Sequence, residues 1–266
     1  MHFIKAHACG NDFLIVEEPI DEPRRSAIAR QLCERHTGIG ADGVEYLSLG
    51  DNGAFAIRLF NADGSEGEIS GNGTRCVAAY LAGQEESDSI SIRTHAGVRH
   101  CRILKRDHPR YRIAMEMGVP RVANKSVIPQ DGASVAGLDI FVGNPHYVVF
   151  VDGQDFDCFG RSWQQVGEEI CTHPDFPNGT NVEFVRVVDT NTIEFRIFER
   201  GVGPTQSSGT GTCASAAASI HARGAARRLT VISEGGEQIV AWPANDANLT
   251  LTGPAEIIAD GEFLLA

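Results

Sequence analysis

A duplicated unit has to be built twice, so self-similarity within a chain limits its fold before any strand or helix is assigned. Ile57-Arg58-Leu59-Phe60-Asn61 returns 138 residues later as Phe195-Arg196-Ile197-Phe198-Glu199. At the same spacing, Ser70-Gly71-Asn72-Gly73-Thr74 returns as Ser208-Gly209-Thr210-Gly211-Thr212, and Val44-Glu45-Tyr46 as Val182-Glu183-Phe184. Ile28 and Leu32 fall in the same way on Val166 and Ile170, while Gly10-Asn11 and Gly143-Asn144 match at an offset of 133, so the intervening loops differ in length. Two homologous halves are implied: residues 1–115, completed by a returning strand at about 254–266, and residues 116–253.

Within each half the local patterns also run in parallel. Ile28 with Leu32, and Trp163 with Val166 and Ile170, have helical spacing and read as surface helices. Short β-branched or aromatic runs bounded by turn residues read as strands at 12–16, 56–60, 89–93, 147–151, 192–198 and 229–232. After each Ser-Gly-x-Gly-Thr loop comes an Ala-rich run, Arg75 to Ala82 and Cys213 to Arg223, each followed by glycine and nearly devoid of charge in its middle. A helix that is apolar most of the way round is buried. The expected fold is therefore α+β: two pseudo-symmetric domains, each a curved β-sheet or barrel around a central buried helix. The apolar segment Phe263-Leu264-Leu265 reads as the strand that closes the first half.

Charge narrows the class of partner. A formal net charge of -12 and the lack of a long Lys/Arg run argue against nucleic acid and anionic membranes and favour a small molecule. No run reaches the ~18 apolar residues that span a bilayer, and the chain starts on strand-like Met1-His2-Phe3-Ile4 rather than a basic and apolar leader, so a soluble, cytoplasmic protein is expected. Seven scattered cysteines, an odd number with no CxxC pair, fit reduced thiols and no structural metal.

The two motif loops are where chemistry is expected. A buried helix start presents unpaired N–H groups and a partial positive charge, and glycines let a ligand come close to the backbone, so a carboxylate is a natural occupant. One Ser-Gly-x-Gly-Thr loop by itself is adequately explained as a helix cap. A matched pair, each preceded by a polar strand end (Asn61, and Glu199 with Arg200), points instead to a shared site in which Ser70 and Ser208 face opposite sides of one substrate, the geometry of a stereochemical inversion.

Seven motifs in order resemble the diaminopimelate epimerase family: Gly10-Asn11-Asp12-Phe13, Gly38-Ile39-Gly40-Ala41-Asp42-Gly43, Asn61-Ala62-Asp63-Gly64-Ser65-Glu66, Gly71-Asn72-Gly73-Thr74-Arg75-Cys76, Gly143-Asn144-Pro145-His146, Gly179-Thr180-Asn181, and Glu199-Arg200-Gly201-Val202-Gly203 with Gly209-Thr210-Gly211. The resemblance implies a cofactor-free epimerase, independent of pyridoxal phosphate, in which one cysteine removes an α-proton and another returns one to the opposite face. It places His146 and Glu199 as modulators of those thiols. The substrate pocket it implies is formed by Asn11, Asn61, Asn144, Asn181, Glu199 and Arg200 with the backbone of Gly71, Asn72, Gly209 and Thr210, and it is compatible with a homodimer. Both catalytic cysteines fall on serine, Ser70 and Ser208, whereas Cys76 and Cys213 lie inside the helices and read as core. Other expectations are a related isomerase or dehydratase of the proline racemase and phenazine-biosynthesis superfamily, or an inactive amino-acid-binding protein.

Overall fold

The computed structural model describes residues 1–17, 21–50, 54–128, 134–158 and 160–264. The chain divides into two compact units, Met1–Glu116 with Thr252–Ala266, and Met117–Leu251. In chain order the first stretch contains β1 (His2–Ala8), β2 (Asn11–Val16), α1 (Glu22–Cys33), β3 (Gly43–Leu49), β4 (Phe55–Asn61), β5 (Glu66–Gly67), α2 (Gly71–Gln84), β6 (Ser89–Thr94), β7 (Gly97–Asp107) and β8 (Arg110–Gly118). The second contains β9 (Arg121–Val127), β10 (Val135–Phe141), β11 (Pro145–Phe150), α3 (Trp163–Cys171), β12 (Asn181–Asp189), β13 (Thr192–Glu199), β14 (Gly203–Thr205), α4 (Gly209–Ala222), β15 (Arg228–Ser233) and β16 (Gly236–Ala241). The last strand, β17 (Leu249–Glu262), returns to the first unit.

The first unit is a closed ring. Its strands pair in the order β1-β2-β3-β4-β6-β7-β8-β17, and β17 comes back onto β1 with Ile4 opposite Asp260. Alternation makes this possible: β6 buries every second residue of Ser-Ile-Ser-Ile-Arg-Thr, so one face turns inward while the other meets water. Two pairings are parallel, β2 with β3 and β4 with β6. Parallel neighbours need a crossover, and the two crossovers differ. Helix α1 packs with Leu14, Val16, Val44, Tyr46 and Phe60. The other helix, α2, packs against β1, β2, β3, β6 and β7, and all but three of its 14 residues are buried.

The second unit repeats the plan. Strands pair as β9-β10-β11-β12-β13-β15-β16, with β11/β12 and β13/β15 parallel. α3 packs with Tyr147, Val149, Val182 and Phe184, and α4 lies against β9 to β13, β15 and β16. A capping box opens α3, with Ser162 Oγ accepting from Gln165 N (3.4 Å) and Gln165 Oε1 accepting from Ser162 N (3.3 Å).

The expected α+β class, with a buried helix in each half, is what the chain adopts. Two boundaries differ from the sequence reading. The buried helices begin at Gly71 and Gly209, four residues before the Ala-rich runs, because a serine cap holds the first turn despite the low helix propensity of glycine. The closing strand runs over Leu249–Glu262, with Phe263 after it exchanging backbone hydrogen bonds with Met1; Leu265 lies outside the described residues. Among the described residues no helix is long and apolar enough to cross a membrane.

Leu32 and Ile170 are both fully buried where α1 and α3 meet their sheets. Leu32→Ala and Ile170→Ala are each expected to cost ~2–5 kcal/mol in denaturant unfolding. A cost below about 0.5 kcal/mol for either would show that its helix does not anchor the crossover.

Candidate active site

Each buried helix starts on a serine whose side chain caps it. Ser70 Oγ accepts from Gly73 N at 2.9 Å, and Ser208 Oγ accepts from Gly211 N at 3.2 Å. In both places the serine carbonyl also accepts from a threonine hydroxyl four residues on, Thr74 or Thr212, at 2.7 Å. Capping and a role in chemistry are thus compatible, since a hydroxyl that accepts one N–H retains its own proton and a second lone pair.

Around Ser70 the sequence-selected polar residues are joined into one network. Asn72, buried, donates from Nδ2 to Asn11 Oδ1 (3.2 Å) and accepts at Oδ1 from Arg75 Nη2 (2.7 Å), while Arg75 Nη1 reaches Gly71 O (3.2 Å). Asn11 Nδ2 in turn donates to Asp42 Oδ2 at 2.7 Å. Asp42 and Asp12 share Arg35, and Asp12 also pairs with Lys5 at 3.0 Å. Burial pushes the Asp12 carboxyl up, but the Lys5 and Arg35 bonds outweigh it and hold it below the usual range; burial leaves Asp42 raised. The network fixes Asn11 and Asn72 as rigid amides beside the helix start. Asn61, at the end of β4, is held separately through Ser65 Oγ (3.0 Å).

Around Ser208 the groups are different. Thr210 Oγ1 lies 3.3 Å from Ser208 Oγ and accepts from Asn144 Nδ2 at 3.4 Å. With its amide nitrogen so engaged, Asn144 turns Oδ1 to His146 Nε2 at 2.8 Å, and this requires the proton of that ring nitrogen. His146 Nδ1 then faces Glu183 Oε1 at 2.6 Å, both side chains fully buried, with one proton between them. Burial raises the Glu183 carboxyl, opposed by His146. Further along, Asn181 Oδ1 accepts from Arg200 N (2.9 Å) and Asn181 Nδ2 donates to Pro145 O (3.0 Å), while Glu199 Oε1 accepts a short bond from Thr205 Oγ1.

Two residues at the centre of these half-sites were not among the candidates selected from sequence: Glu45 and Glu183. They occupy equivalent positions of the repeat, and each lies against the third residue of a buried helix. A Cβ at Gly73 would collide with Glu45 Oε1, and one at Gly211 would come within 2.9 Å of Glu183 Oε1. The available signal was a glutamate flanked on both sides by apolar residues, Val44 and Tyr46 in one half and Val182 and Phe184 in the other. Cys76 and Cys213 are fully buried in the helices, as read from sequence, and burial pushes the Cys76 thiol far up. All seven cysteines are unbridged and buried, and among the described residues no group of His, Cys, Asp or Glu is placed to hold a metal ion.

The sequence profile of the diaminopimelate epimerase family matches residues 3–123 and 140–258. Proteins named diaminopimelate epimerase from Pelotomaculum thermopropionicum and Desulforudis audaxviator are 37% and 38% identical, over 99% and 100% of both chains. Among solved structures, a phenazine biosynthesis protein of Bacillus anthracis (TM-score 0.77, 16% identity, covering 100% of this chain and 99% of that one) shares the fold. So does a probable proline racemase of Agrobacterium radiobacter (TM-score 0.78, 18% identity, covering 100% and 93%).

Glu45 yields a pH dependence of stability. Burial alone pushes its carboxyl up to about 8. A group raised in the folded state stabilises it fully below the ordinary glutamate range and loses that contribution as pH rises through the raised value. The melting temperature of the native chain should therefore fall more steeply between pH 5 and pH 9 than that of Glu45→Gln, by an amount linked to a few kcal/mol. Parallel profiles for the two proteins would refute a neutral Glu45.

Proposed function

Because the chain belongs to the diaminopimelate epimerase family, we propose that it binds diaminopimelate and exchanges the proton on one α-carbon without a cofactor, using hydroxyls where the family uses thiols. Support comes above all from the two serine-capped, strand-enclosed helix starts, equal in length and set 138 residues apart. Inversion at carbon needs one group to remove a proton and another to supply one on the opposite face, and a duplicated scaffold carries one such group per half. Ser70 and Ser208 take those places.

The remaining roles follow the family pattern. The substrate carboxylate is held by the first-turn N–H groups at Gly71, Asn72, Gly209 and Thr210, with the two helix dipoles favouring the anion. Asn11, Asn61, Asn144, Asn181 and Arg200 hold the rest of the amino acid, Arg200 and the asparagines gripping its distal end. His146 and Glu199 adjust the proton affinity of the reacting groups. The protein works in the cytoplasm, as a homodimer.

The serines decide the rate. A thiol has a pKa of roughly 8.5 and is readily lowered at a helix start, so it removes protons near neutral pH. A hydroxyl needs an adjacent base to do so. The same substitution favours a second reading, an amino-acid-binding protein without turnover.

Calorimetry with LL- and meso-diaminopimelate, against proline and hydroxyproline, combined with α-proton exchange into heavy water, tests these readings. Diaminopimelate should bind and exchange slowly, and Ser70→Cys with Ser208→Cys should raise the exchange rate by orders of magnitude. Binding without exchange even in the double-cysteine chain selects the binding protein. Rapid exchange by the native chain would contradict the role given to the serines, and binding of proline alone would move the chain's substrate to that of its structural neighbours.

A further inference from the structure

The two buried glutamates are equivalent in the repeat but not in their surroundings. Glu183 shares a proton with His146 at 2.6 Å. Glu45 is fully buried and neither of its oxygens has a hydrogen-bond partner among the described residues. Glu45 and Ser70 line the same small cavity, of about 10 Å3, together with Thr74, Glu68 and His95, and room of that size suits about one water molecule. The Glu45 carboxyl lies against Gly73, in the first turn of the helix that Ser70 caps.

A buried carboxylate with no counter-charge is costly, so the group keeps its proton. The other titratable groups facing it are Glu68 and His95 across the cavity and Cys76 on α2, whose thiol is raised in part by Glu45; Arg75, on the same turn, directs its guanidinium to Gly71 O and Asn72 Oδ1. If Glu45 gave up its proton, the positive end of α2, against which its carboxyl lies, would stabilise the charge. A neutral acid whose anion is offset by a helix dipole can lend a proton and recover it.

We propose that Glu45 is the positioning residue that makes Ser70 competent in proton exchange, by lending a proton to the Ser70 hydroxyl through one water seated in the cavity they share, and taking it back by the same route. When Ser70 Oγ delivers its proton to a substrate carbanion, the carbanion's electron pair becomes the new C–H bond. The water takes the Glu45 O–H proton as it gives one of its own to Ser70, which replaces the proton Ser70 lost. The hydroxyl is regenerated, no alkoxide accumulates, and the negative charge passes from carbon to the Glu45 carboxylate. In the reverse direction Ser70 takes the α-proton as Glu45 recovers its own. Ser208 has a different arrangement behind it, the Thr210, Asn144, His146 and Glu183 series, so the two faces of the substrate meet unlike proton stores.

This assignment rests on the proposed function for its substrate, yet its central claim is readable without ligand. In infrared spectra of the whole chain, a neutral carboxyl band should be present at pH 7, absent in Glu45→Gln, and lost on titration with a midpoint near the value of about 8 that burial gives Glu45. Ser70→Ala should shift the frequency and midpoint of that band, whereas Ser208→Ala, which removes the equivalent cap, should not. Absence of the band at pH 7, or its indifference to Ser70→Ala, would overturn the coupling, and the Ser70→Ala comparison needs no Glu45 variant to fold. In α-proton exchange, Glu45→Gln should cost on the order of 100-fold and erase the limb of the pH profile near 8, and an unchanged profile would also overturn it. Failure to bind diaminopimelate would strike the proposed substrate, while the carboxyl band would still decide whether Glu45 and Ser70 act together.

Discussion

A helix enclosed by strands must satisfy its first-turn N–H groups without bulk water, and this requirement governs each half of the chain. Ser70 and Ser208 each meet part of it, the hydroxyl taking the N–H of Gly73 or Gly211. Glycine at positions 73 and 211 then becomes obligatory, because a buried glutamate from the neighbouring strand occupies the space a side chain would take. Cap, glycine and glutamate form one unit, and the polar residues on the adjoining turns are arranged around it.

The halves keep this unit while equipping it differently. On the Ser70 side, fixed charges do the holding: Lys5 and Arg35 against Asp12 and Asp42, then the amides of Asn11 and Asn72 leading to Arg75. On the Ser208 side a histidine shares a proton with its glutamate, and an asparagine orients the ring. Duplication supplied two positions of equal geometry, and the charge placed behind each set it apart. For a reaction whose two faces have opposite tasks, that inequality matters as much as the symmetry.

Much of this was legible in the residues. The repeat spacing located both buried helices, and the β-branched runs of Ser89 to Arg93 and Leu229 to Ile232 located strands that the structure contains. Strands β7 and β8 escaped because Arg, Lys and Asp in β7, and Arg and Glu in β8, break up any continuous β-branched or aromatic run. The helix starts were placed late because propensity speaks against Gly71 and Gly209, whereas a cap is a tertiary bargain that propensity does not register. Glu45 and Glu183 were visible as repeat partners but not as site residues, since nothing local reveals that a strand glutamate is stripped of solvent. Only the enclosure by the ring makes Glu45 an acid rather than an ordinary surface carboxylate.

The route taken by β17 bears on how the protein is made. Its pairing with β1 and β8 completes the ring that encloses α2, and it is the last strand in the chain. During synthesis, residues 117–251 can therefore reach their full complement of partners while the N-terminal stretch still has an open seam. The part translated first is the part finished last, and until the seam closes its strand edges stay unpaired.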